Sequence, residues 1–162
     1  RQRQMCIRDR VAEVAEITEK NMRDVLEVRK ALEELAVQLA CEKITDEEIE
    51  EMKKAAEEFK MILKSKDITE IAEADVRFHD IIYMATDNQK LILLLNNLRE
   101  QMYRYRVEYL KREEAYPQLI AEHAAIIEYI SKGEKKAATD VMCKHIDNQV
   151  TTVIDVIRTK QN

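Results

Sequence analysis

The chain contains three histidines, His79, His123 and His145, and each falls in a stretch of helical apolar spacing rather than in a loop. Asp75 precedes His79 by four residues in the segment ADVRFHD. Four residues are about 400° of helical rotation, so the two side chains leave one face roughly 40° apart. The neighbouring apolar face is formed by Ile71, Ala74, Phe78, Ile81 and Ala85. His123 lies in line with Leu119, Ile127 and Ile130, and His145 follows Val141 and precedes Gln149 and Thr152. Neutral imidazole nitrogen and carboxylate oxygen suit zinc, nickel, manganese or iron(II). Helical proteins build such sites from inward-facing side chains of different helices. One Asp and three His leave positions on a five- or six-coordinate ion for water or a ligand carboxylate. A histidine beside a core is also found as a satisfied structural residue, with Asp75 then paired to Arg77 or a nearby lysine. Spacing alone leaves both readings open.

Other chemistries are absent from the sequence. A di-iron bundle needs Glu-x-x-His motifs, and no histidine here has Glu three residues before it. His-Glu-x-x-His is missing, and Ser65 and Ser131 have no histidine near them in sequence. A single Gly cannot build a phosphate-cradling loop. Arg29, Arg99, Arg104 and Arg106 stand on otherwise apolar helices. Each either snorkels to solvent or points inward to grip a carboxylate in bidentate fashion.

The elements that must position these residues are helices. One Gly and one Pro in 162 residues, with 36% charged residues, predict an all-α protein. A first helix is expected over about 21–41. Thr45 to Glu48 reads as a capping box opening a helix to about Lys64, and Asp67 opens a third to about Ala85. A long fourth helix carries Leu91 through Tyr109, Pro117 fits the first turn of a fifth, and Gly133 ends it before a sixth. Short connections favour an antiparallel helical bundle of about six or seven helices. RQRQMCIRDR, residues 1–10, has four Arg and no apolar stripe. It reads as non-native sequence, followed by a linker over 11–20 and a single domain over 21–160.

The formal charge is −5, and the first ten residues are net basic, so the body is more acidic than the whole. Such a surface is a poor match for nucleic acid, which needs a clustered basic face. Cys6, Cys41 and Cys143 share no C-x-x-C spacing. Free thiols fit a cytoplasmic protein, with Cys41 and Cys143 as small core residues. The longest apolar run, LILLL at 91–95, is too short for a bilayer.

Four segments in order carry a resemblance: VLEVRKALEELAVQLA at 25–40, EADVRFHDIIYMATDNQKL at 73–91, EHAAIIEYISKGEKKAA at 122–138 and MCKHI at 142–146. Over about residues 22–150 the chain resembles the C-terminal effector-binding (FCD) domain of FadR-type GntR transcription regulators. The resemblance implies a metal set of Asp75, His79, His123 and His145, with zinc foremost and nickel, manganese or iron as alternatives. It further implies a small organic acid bound over the metal, a homodimer, and no catalysis by the ligands. Arg29, Arg104 and Arg106 fall where ligand-gripping arginines are expected. The family's N-terminal winged helix-turn-helix has no counterpart in these residues, so DNA contact is expected only through a domain missing from this chain. Two rival readings are a metal-dependent enzyme acting on a small carboxylate and a metal-free helical dimerisation module.

Overall fold

The computed structural model describes residues 17–160, so the decapeptide at 1–10 and most of the expected linker lie outside the described residues. Seven α-helices follow: α1 Glu19–Lys43, α2 Asp46–Ile62, α3 Ile68–Ala85, α4 Gln89–Asn97, α5 Arg99–Leu110, α6 Tyr116–Ser131 and α7 Lys135–Lys160. No strand occurs among the described residues. The all-α expectation holds.

Local chemistry sets most boundaries. Thr45 accepts from the Glu48 amide while Glu48 reaches back to the Thr45 amide, a complete capping box. Asp67 accepts from the amides of Thr69 and Glu70 at the start of α3. Asn88 accepts from the Leu91 amide and opens α4. Gly133, at φ 67°, turns the chain after α6 in a conformation that other residues adopt at a cost.

Three expectations need correction. The predicted fourth helix is interrupted at Leu98 and becomes α4 and α5. Val28 and Leu35 share the three-and-four apolar spacing of Val25, Leu32, Ala36 and Leu39 and are predicted by it to be buried. They are 52% and 42% exposed, because the apolar stripe of α1 wraps beyond the face its neighbours cover. Cys41 and Cys143 are half-buried rather than core. The Cys143 thiol donates to Glu34 at 2.8 Å.

The helices share two apolar cores. One gathers Ala36, Val37, Phe78, Ile82, Ile126 and Met142, with others. The second gathers Met22, Leu26, Ile71, Leu119, Val153 and Ile154, with others. Helices α1, α3 and α6 enter the second core first and the first core later in sequence, whereas α2, α7 and the α4–α5 pair run the opposite way. The result is an antiparallel bundle of six rods. Between the cores, α1, α3, α6 and α7 each carry a polar pair: Arg29 and Glu33, Asp75 and His79, Glu122 and His123, His145 and Gln149. The two cores clamp a polar belt.

Candidate metal centre

The belt is sealed from solvent. Arg29, Glu33 and His145 are fully buried, and Asp75, His79 and His123 are 1% exposed. The three imidazoles form a triangle, with ring centroids 5.2 Å apart for His79 and His145, 5.6 Å for His123 and His145, and 6.0 Å for His79 and His123. One nitrogen from each lies within 4.8 Å of the others. Two nitrogens on one zinc are at most about 4.2 Å apart, so small side-chain rotations close the set on an ion. Asp75 is not among these mutually close ligand atoms but lies beside them, with Oδ1 3.0 Å from His123 Nε2. Phe78 stacks on His123 with centroids 4.1 Å apart, and Phe59 flanks the same ring at 5.0 Å. The aromatic residues therefore fix the imidazole plane.

Burying a polar atom without a partner costs about 1–3 kcal/mol, and native domains carry only a few such atoms per hundred residues. Nine buried side-chain atoms among the described residues lack a hydrogen-bond partner, and all nine belong to Arg29, Glu33, Asp75, His79, Arg106 and His123. Both nitrogens of His79 and of His123 and both oxygens of Asp75 are among them. Arg106 Nε lies 2.5 Å from Asp75 Oδ2, an ion pair without hydrogen-bond directionality. A satisfied structural histidine has well-directed hydrogen bonds at its nitrogens. His123 Nε2 has only the 3.0 Å ionic contact with Asp75, and His79 Nδ1 a 3.6 Å one with Glu33. None of the four nitrogens makes a well-directed hydrogen bond, and this donor set fits a divalent cation.

The charges are arranged to keep ligand atoms available. Burial disfavours the Asp75 carboxylate, but Arg106, His123 and His79 overcome it and hold its pKa well below the usual range. Burial lowers the His79 imidazole to about 4 against the pull of Glu33, and burial likewise lowers His123. Both rings are neutral near pH 7, as ligation requires.

Around these residues stands a supporting set that sequence reasoning left without roles. Glu33 Oε2 faces His79 Nδ1 at 3.6 Å. Its Oε1 accepts from Arg29 Nε at 3.0 Å and from the Tyr83 hydroxyl at 2.5 Å. Glu122 Oε2 accepts from His145 Nδ1 at 2.7 Å. Gln149 bridges Arg29 and His145. A weak signal was present: Glu33 and Gln149 follow Arg29 and His145 by four residues, and Glu122 adjoins His123.

The three expected arginines are placed differently. Arg29 and Arg106 are buried in the belt. Arg104 is half-buried, because two residues turn the helix about 200° and carry it to another side of α5. A groove between α2 and α6, lined by Lys53, Ala56, Lys60 and Ala124, reaches the ring of His123.

The fold is an all-α bundle with a buried Asp–His cluster at its centre. The FCD domain model matches residues 24–148, and the chain belongs to the FCD domain family, the helical domain of FadR-type GntR transcription regulators. The transcriptional regulator YdhC of Bacillus subtilis is 26% identical over 136 residues, which are 83% of this chain and 61% of that protein. The gluconate operon transcriptional repressor of the same organism is 23% identical over 155 residues, 93% of this chain and 64% of the repressor. The chain thus spans less than two thirds of the curated relatives it matches. The metal-free FCD domain of TM0439 superposes with a TM-score of 0.73 at 25% identity, covering 89% of this chain and 99% of that one. GntR of Streptococcus agalactiae, at 21% identity and a TM-score of 0.68 over 86% of this chain and 62% of its own, shares the fold. These relatives are transcriptional regulators and not enzymes.

Proposed function

We propose that this domain senses a small organic acid through a divalent metal, zinc foremost, held by Asp75, His79, His123 and His145. The observation that carries the proposal is the concentration of partnerless buried ligand atoms in one belt. A bound divalent ion supplies a Lewis-acid docking point for a carboxylate. Arg29 and Arg106 add charged donors beside it: Arg29 Nη2 has no hydrogen-bond partner, and Arg106 Nε is held 2.5 Å from Asp75 Oδ2. Charge-assisted bonds from buried guanidinium groups are the strong kind. One relative represses a gluconate operon, and gluconate is itself a small hydroxy acid, which supports this effector class.

The belt side chains are buried and the α2–α6 groove abuts His123, so an effector enters by widening that groove or opening the bundle. It shifts an equilibrium between states for which its affinities differ. In this reading the protein is a cytoplasmic homodimer whose DNA contacts are made by a domain outside these residues. No described helix is long and apolar enough to cross a membrane. The test is a thermal-shift screen of small organic acids with zinc present and after chelation. Stabilisation by one or more acids that disappears on chelation is expected. Stabilisation that survives chelation contradicts metal-mediated sensing.

A further inference from the structure

Gln149 connects a candidate metal ligand to a buried guanidinium on another helix. Arg29 Nη1 donates to Gln149 Oε1 at 2.7 Å, and Gln149 Nε2 lies 3.2 Å from His145 Nε2. A guanidinium has donors only, so the amide must turn its oxygen to Arg29 and its NH2 to His145. On the far side of the ring, Glu122 Oε1 accepts from Gln118 at 3.0 Å and from Asn148 at 2.5 Å, and Oε2 faces His145 Nδ1 at 2.7 Å. An ionised carboxylate only accepts. The imidazole proton is therefore on Nδ1, and the lone pair is on Nε2, where it accepts the Gln149 N–H. Arg29, Gln149, His145 and Glu122 form one chain of hydrogen bonds with a single donor direction, crossing from α1 through α7 to α6. All four side chains are buried.

One lone pair cannot both accept a hydrogen bond and ligate an ion, and Nε2 is the ring atom of His145 left for a metal. We propose that Gln149 is a latch that competes with the metal for His145 Nε2, so that ion binding releases its amide and alters the setting of Arg29. This rests on the metal reading above. Arg29 also donates to Glu33, whose other oxygen faces His79 Nδ1 at 3.6 Å. Helix α1 thereby touches ligands on both α3 and α7 from behind, and a change at the ion is felt along α1 through two side chains. His79, His123 and Asp75 have ligand atoms without hydrogen-bond partners. Gln149 acts at His145; at Asp75 and His123 an ion would instead displace the 3.0 Å contact between Oδ1 and Nε2.

The test uses the 162-residue chain labelled with nitrogen-15 and zinc as the probe. A scalar coupling across the hydrogen bond between Gln149 Nε2 and His145 Nε2 is expected after chelation, with a neutral Nδ1–H tautomer for His145. At one equivalent of zinc the coupling disappears and the Gln149 side-chain amide resonances move. Zinc bound with the coupling intact, or no coupling in chelated protein, overturns the latch while leaving the metal site standing. No zinc binding at all overturns both. Gln149→Met keeps the volume and removes the competitor, and losing one hydrogen bond of ordinary strength predicts zinc affinity tighter by about 2–10-fold in a chelator competition. A loss of affinity as large as that of His145→Ala makes Gln149 a ligand or a scaffold and contradicts the latch.

Discussion

His145 on α7 and Glu122 on α6 meet through Nδ1 and Oε2 at 2.7 Å. That contact orients the imidazole so that Nε2 turns into the belt. Carboxylates placed behind metal-ligating histidines fix the tautomer and raise ligand basicity, and losing one typically costs 10–100-fold in metal affinity. Glu122→Gln is expected to weaken zinc binding by about that factor, measured by competition with a chromophoric chelator. Unchanged affinity contradicts the orienting role.

Asp75 is held by Arg106 at 2.5 Å with both groups buried. Removing one partner of a buried ion pair costs about 3–5 kcal/mol, because the other charge is left uncompensated. Arg106→Met should lower the stability of chelated protein by that amount in urea titrations. With zinc bound, the ion compensates Asp75 and the loss should be smaller. Equal losses in the two conditions argue against Asp75 as a ligand.

His79 and His123, both depressed by burial, give the metal-free domain an acid-sensitive stability. His79 is depressed from an ordinary 6.5 to about 4, so its contribution is fully present above the unfolded value and is lost as pH falls towards the folded one. Chelated protein should therefore weaken between about pH 6.5 and 4, by on the order of 3 kcal/mol from this residue. His79→Gln should flatten this part of the profile when denaturation is followed at several pH values. A profile as steep as that of the parent protein excludes His79 as its source.

Homodimerisation has a candidate surface. Val28 and Leu35, seven residues apart on α1, project from one side, and Leu93 and Leu94 on the adjoining α4 are 54% and 50% exposed. Leu94→Glu should shift sedimentation from dimer towards monomer while leaving helical content unchanged. A parent chain that is monomeric at high concentration removes the basis for this surface.

Legibility from sequence followed the range of the interactions. Caps at Thr45 and Asp67 were readable because both partners lie within a few residues. The break at Leu98 was not, since neither Gly nor Pro marks it. Asp75, His79, His123 and His145 stood out as candidates by residue type and helical period, but spacing left a structural role open and only the family resemblance joined them into one set. Glu33, Tyr83, Glu122 and Gln149 acquire roles only once α1, α3, α6 and α7 are neighbours, and residue spacing does not encode which helices pack together. Arg104 and Arg106 show the same limit at short range: two residues of helix separate a half-buried arginine from one buried against Asp75.

The central claim is most directly tested by elemental analysis of protein purified without a histidine tag, comparing the parent chain with His79→Ala and His145→Ala. About one equivalent of a divalent metal in the parent chain, falling to background in both variants, is the expected result. Metal content unchanged in both, or a parent chain that holds none after incubation with zinc, contradicts it.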